Sequence, residues 1–202
     1  MSTENIIISR VSSKKEMKEF VRFNYELYKD NPYAVPDLLE DTLDTFNKKK
    51  NPAFRFCEAE WFLARRNGKI VGRICAIINH KANEQWNQKT VRFGWIDFID
   101  DTEVSGLLLQ AVEDWGKERG MNKMVGPLGF TDMDLEGMLT EGYDQLSTMN
   151  SIYNYPYYPE HMVKHGLTKE VGWVERKVFV PKKGHEANKE KYFRIAEMVR
   201  KR

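Results

Sequence analysis

Few residues in this chain combine a reactive type with a setting that suits chemistry. Asp97 is the one ionisable residue in the apolar run Trp95-Ile96-Asp97-Phe98-Ile99, where burial would raise its pKa toward the range of a general base. A hydrogen-bonded structural carboxylate, or an outward-facing one, fits the same pattern. Directly after it, Asp100, Asp101 and Glu103 place three carboxylates at one turn. Either Asp100 or Thr102 suits the N-cap of a following helix, with Glu103 in the favoured acidic first turn. His161 and His165 stand four apart, a spacing that on a helix presents two imidazoles to one ion. No third ligand is signalled and His80 and His185 are distant, so no metal is expected and the pair reads as solvated helix surface. Tyr153, Tyr155, Tyr157 and Tyr158, with Pro156 and Pro159, form an aromatic cluster able to plug a loop into the core. The chain has no nucleophile elbow, GxxxxGK loop or dinucleotide fingerprint, so covalent catalysis and nucleotide hydrolysis lack support.

The elements that must position these residues are legible from periodicity. Ile6-Ile7-Ile8 reads as a buried strand, and Ser12 or Ser13 caps a helix in which Met17, Phe20, Val21, Asn24, Leu27 and Tyr28 share a face. Asn31 to Pro36 breaks it, and Leu38 to Phe46 forms a second short helix. Trp61 to Arg66 and Lys69 to Ile78 are extended runs joined by Asn67-Gly68, a dipeptide suited to a type I′ hairpin turn. Val91 to Ile99 is a third strand leading straight into a helix whose stripe is Val104, Leu107, Leu108, Ala111, Val112 and Trp115, closed by Gly120. Met124-Val125 starts a further strand. Residues 126–144 are mostly loop, Pro159 to His165 is a short helix closed by Gly166, and Trp173 to Val180 is a last strand. This order gives a mixed, mostly antiparallel sheet flanked by helices, an α/β fold of the α+β type.

The whole chain sets further bounds. Its 202 residues suffice for one domain with a proper core, and 41% hydrophobic against 31% charged residues is ordinary globular composition. Thirty-two Lys and Arg against thirty Asp and Glu give a net charge of +2, so no nucleic-acid partner is expected; Lys48-Lys49-Lys50 and Lys182-Lys183 read as solvated surface. Two cysteines, Cys57 and Cys75, make no disulfide framework, and the start lacks a secretory signal, which fits a reducing cytoplasm. The longest apolar stretch, Ile74 to Ile78, is far short of the roughly 20 residues of a membrane span. The domain is expected over 1–181. From 182 to 202 a polar linker leads into a helix that begins near Lys189 with no partner after it, as if a second half followed.

The hairpin from Trp61 to Ile74, the helix from Leu109 to Gly120 and the segment His165-Gly166-Leu167 resemble, in that order, the central hairpin, cofactor helix and closing segment of the GNAT-type N-acetyltransferases. The likeness covers about residues 5 to 180. Gly126-Pro127, Glu136 to Leu139, Gly142-Tyr143-Asp144 and Tyr153 to Tyr158 further resemble a bacterial GNAT-like branch whose members are often longer, with a second acyltransferase-like half.

The resemblance implies a splayed strand pair that receives acetyl-CoA or another acyl-CoA, and direct attack of an amine on its thioester. The pyrophosphate would sit on backbone N–H groups at the helix start. It implies a cradle from the backbone of Phe98 and Ile99 with Val104 and Ser105, and a contact from Asn154. Asp97 would be the base. Met162 takes the place of the family's proton-donating tyrosine, which leaves Tyr158 as the acid. Aligning the helices puts Asp100 where the family has Arg or Gln, Glu103 where it has Gly, and Ser105 at the second small position, so carboxylates oppose the diphosphate. The amine acceptor is not specified; the partners implied are a second copy or a second GNAT-like half. A GNAT-like domain without catalysis, acting as an interaction module, is the competing expectation.

Overall fold

A computed structural model describes residues 5–148, 151–176, 178 and 189–201. Contacts divide the chain into two units, Met1–Thr168 and Lys169–Arg202.

The first unit is built on a five-stranded sheet in chain order: β1 (Ile6–Arg10), β2 (Cys57–Arg66), β3 (Lys69–Asn79), β4 (Thr90–Phe98) and β5 (Lys123–Val125). β1 to β4 pair antiparallel, while β4 and β5 pair parallel through only three positions, Thr90 to Arg92 against Lys123 to Val125. The β2–β3 turn forms as the dipeptide predicts, with Asn67 and Gly68 both at positive φ. α1 (Lys14–Tyr28) and α2 (Leu39–Thr45) cover one face. Ser13 caps α1 in a full capping box with Glu16. α4 (Thr102–Lys117) and α5 (Tyr157–Lys164) cover the other. Two elements escaped the periodicity, a 3-10 turn Pro52–Arg55 and α3 (His80–Gln85), because both are too short to show a repeat.

The strand alternation sorts side chains into two cores. Phe62, Ile74, Phe93, Ile96 and Phe98 pack toward α4, and Trp61, Leu63, Cys75, Ile77 and Trp95 toward α1. Both thiols are buried, and burial pushes the Cys57 thiol up to about 11. The register slips twice, in β3 opposite Ala64 and Arg65 and in β4 beside the site. Arg73 faces Asp97 and Cys75 faces Gly94, so β4 carries one extra residue, and Trp95 adopts φ 44° to absorb it. A bulky residue there is strained, and the bulge turns Asp97 to the α1 face.

In the second unit, residues 169–176 carry no strand; of the expected strand 173–180, residues 177, 179 and 180 lie outside the described set. α6 (Lys189–Arg200) is amphipathic, and none of its residues is buried. Among the described residues no helix is long and apolar enough to cross a membrane.

Candidate active site

β4 runs beyond its short pairing with β5, so its free edge needs other partners. Leu128 N–H satisfies Phe93 O at 2.8 Å. The close approach of this segment depends on Gly94, where a Cβ would lie 2.4 Å from Leu128 O. Ile99 N–H bonds to Val71 O of β3, so the polar groups of Phe98 face the opposite way, into the gap. Both are taken by α5: Tyr158 Oη accepts from Phe98 N–H at 3.2 Å, and Tyr157 O–H donates to Phe98 O at 2.6 Å. The Tyr158 ring stacks on Phe98 at 4.3 Å between centroids.

Behind this edge lies a buried ion pair. Arg73 contacts Asp97 Oδ2 from Nε at 2.7 Å and Nη2 at 2.6 Å, with side-chain exposures of only 3% and 7%. Its remaining donors reach Phe20 O and Val21 O of α1. Asn24 donates to Asp97 Oδ2 at 3.2 Å, while the Tyr28 and Tyr158 hydroxyls each lie 3.1 Å from Oδ1 and 2.8 Å from one another. One proton per hydroxyl satisfies the set when Tyr28 donates to Tyr158 and Tyr158 to Asp97. Burial, then the Asp97 charge, holds both phenols well above their ordinary range. Both Asp97 oxygens are thus engaged within the protein, and Tyr158 has its proton directed inward.

The start of α4 is equally occupied. Asp101, rather than Asp100 or Thr102, is the N-cap; its carboxylate accepts from Glu103 N–H and Val104 N–H and pairs with Arg66 at 2.5 Å. Burial would raise this carboxyl, but Arg66 and the two backbone donors hold it below its ordinary range. Ser105 Oγ lies 2.9 Å from His161 Nδ1 and 2.8 Å from His165 Nε2, and His161 Nε2 lies 3.0 Å from Asp100 Oδ1. Gly106 makes room for this, since a Cβ there would lie 2.9 Å from His165 Cε1. Burial, then the neighbouring His161, lowers the His165 pKa. His161 is therefore buried rather than solvated surface, because its ring is held between Ser105 and Asp100, and the two histidines tie α5 to α4. Among the described residues no group of three or more metal-ligating side chains occurs.

The structure brings Asp97, Phe98 and Tyr158 together, with Val104 and Ser105 at the adjoining helix start. Asn154 lies apart from that polar edge, its amide spent on Leu139 N–H, Leu139 O and Tyr155 O. Residue reading missed Arg73, Tyr28, Asn24 and Arg66. A signal for Arg73 existed: it is the single charged residue of the run Ile70 to Ile78, as Asp97 is of its own run in the next strand. At the α4 start, where the resemblance places the diphosphate of an acyl-CoA, Asp100, Asp101 and Glu103 put three carboxylates, and Asp101 takes the Glu103 and Val104 N–H groups.

Comparison with solved structures agrees with this architecture. A predicted acetyltransferase from Clostridium acetobutylicum solved with acetyl-CoA superposes with a TM-score of 0.51 at 12% identity, covering 86% of this chain and 96% of that one. A tandem GNAT protein of the clavulanic acid biosynthesis pathway gives 0.51 at 10% identity, over 80% of this chain and 43% of that one. The chain has the GNAT fold. An aminoglycoside acetyltransferase from an uncultured soil metagenomic sample, in complex with sisomicin, gives 0.50 at 12% identity over 87% and 97% of the two chains. Sequence relatives of this GNAT-fold chain include protein YghO of Escherichia coli (strain K12), 32% identical over 168 residues, 81% of this chain and 43% of that protein. Bacterial ceramide synthase of Caulobacter vibrioides (strain NA1000 / CB15N) is 33% identical over 135 residues, 66% and 35% of the two. The chain thus spans less than half the length of these curated relatives. No protein-family model matches it.

Proposed function

We propose that the protein works in N-acyl transfer, joining the acyl group of an acyl-CoA thioester to an amine, and that this chain receives the amine while its own cofactor cleft is shut. The fold and the likeness to a ceramide synthase support the reaction class, because a ceramide is an N-acylated long-chain amine. Both polar groups of Phe98 are held by Tyr157 and Tyr158, and this observation carries the second part. In this reading Asp97 and Tyr158 are parts of a clasp, not an acid–base pair, and the acyl donor is held elsewhere in the working enzyme.

Titration calorimetry of acetyl-CoA and of a sixteen-carbon acyl-CoA into the 202-residue chain tests it. The expected result is no saturable binding by the unaltered chain. Micromolar binding would favour the second reading, in which the tyrosine hydroxyls withdraw, Phe98 and Ile99 take the thioester arm, and Tyr158 and Asp97 return to the roles of acid and base.

A further inference from the structure

At the end of the sheet away from Phe98, β2 is left half paired. β1 spans five residues and β2 ten, and β1 covers only Phe62 to Arg66 of its neighbour. The last bond between the two segments runs from Val11 N–H to Trp61 O at 2.9 Å, after which the chain turns into α1. Trp61 thus directs its backbone groups to the β1 side, and two-residue alternation turns those of Ala59 and Cys57 the same way. No described residue bonds to the N–H or O of either one on that side. Cys57 and Ala59 are only 5% and 9% exposed, and a polar edge that water reaches so poorly is costly to leave unmade.

A cavity of about 360 Å³ follows this edge. Cys57 to Glu60 line it together with Trp115 and Arg119 of the α4 side, and with Lys48 and Phe54, the latter packed in the α1-side core. Two buried side-chain polar atoms lack a partner among the described residues, and they are the indole N–H groups of Trp61 and Trp115. Trp115 lines the cavity, and Trp61 packs 6.3 Å between centroids from Phe54, which lines it too. Unmade backbone bonds and unmade indole bonds therefore gather at one place. Glu58 is held by His80 at 2.7 Å and Arg119 at 3.4 Å, whereas half-buried Glu60 has no ion-pair partner among the described residues.

We infer that this edge takes up an extended peptide segment of a partner polypeptide, lying in line with β1 and carrying a Lys or Arg between two apolar residues. An extended backbone returns donors and acceptors at the spacing of Cys57 and Ala59, about 7 Å along the strand. Cross-strand neighbours share a face, so the residue opposite Glu60 points with it toward α4, and a cation there meets the unpaired carboxylate. The residues flanking that cation point to the other face, with Cys57 and Ala59, where apolar side chains cover the Phe54 ring. A small anion would meet Glu58 and Glu60, and an apolar ligand would leave the strand's donors and acceptors unmade. The edge lies apart from the clasp, and the inference does not depend on acyl transfer.

The test is binding of a blocked hexapeptide of alternating valine and lysine to the 202-residue chain, read by amide hydrogen exchange. The peptide is expected to slow exchange at Cys57 and Ala59 about tenfold or more and to leave Phe98 unchanged. Methylating alternate amide nitrogens of the peptide keeps its side chains and removes its ladder bonds, and should weaken binding about tenfold or more. A valine–glutamate hexapeptide should bind about tenfold more weakly than the valine–lysine one, and Glu60→Gln should narrow that gap. Equal binding of the methylated peptide, equal binding of the glutamate peptide, or no protection at Cys57 and Ala59 would overturn the inference. So would a dimer in sedimentation that protects both amides without any peptide, since a second copy would then hold the edge.

Discussion

The two ends of the β4 gap solve opposite problems. On the cofactor side, where α4 and α5 meet β4, the polar groups that a GNAT fold offers to an acyl-CoA are spent on the chain's own side chains: Phe98 on two tyrosines, the α4 start on Asp101. On the loop side, residues 30–46 and 126–148 carry ten carboxylates, of which Asp44 pairs with Lys50 and Asp134 accepts from Thr131 N–H, and Val35, Leu38 and Leu146 stand exposed. The general lesson is that shared architecture carries no guarantee about which of its sites is in use.

The cofactor side should be sensitive to substitution in proportion to how deeply it is buried. Arg73→Met leaves the Asp97 carboxylate buried without its cation, and about 3–5 kcal/mol of stability should disappear in a urea titration. A loss below about 1 kcal/mol would mean that Asp97 is hydrated and the clasp open. Asp101→Ala removes the N-cap of α4 and should cost about 1 kcal/mol by the same method. If the variant instead gained acyl-CoA binding, Asp101 would be shown to stand in the phosphate position.

Acid should loosen the same side. The folded-state pKa of His165 lies below its ordinary value, so the unfolded chain binds its proton more readily and stability rises with pH. The contribution is present above about pH 6.5 and is lost as pH falls through the histidine range. Melting temperatures at pH 7.5 and 5.5 should differ in the unaltered chain, and part of that difference should vanish in His165→Asn. Asp101, also depressed, adds a loss of the same sign in the carboxylate range nearer pH 4. The smallest effect belongs to the loop face: Leu38→Ser should change stability by less than about 0.5 kcal/mol, since Leu38 is 71% exposed. A larger loss would mean that Leu38 is covered in the folded chain.

Much of the fold could be read from residue order because its signals are local. Asn67-Gly68 specifies a turn through its own backbone preferences, and the α4 stripe repeats at three and four residues from Val104 to Trp115. The site was legible only in outline. Asp97 and the tyrosine cluster could be picked out as anomalies, but their roles depend on pairings such as Asp97 with Arg73, 24 residues away, and Tyr158 with Phe98, 60 away. The β4 bulge, which decides the face that Asp97 meets, rests on a positive φ at Trp95 that no propensity predicts. The acidic turn was visible and its meaning partly so. Which carboxylate capped the helix depended on the geometry of a single residue, Asp101.

Amide hydrogen exchange at Phe98, Glu103 and Val104 tests the shut cleft most directly, because those three N–H groups are the ones held by Tyr158 and Asp101. The account predicts that all three are protected in the unaltered chain and that millimolar acetyl-CoA changes none of them. It also predicts that Tyr158→Phe releases Phe98 alone. Rapid exchange at Phe98 in the unaltered chain, or protection that appears only when acetyl-CoA is added, would contradict it.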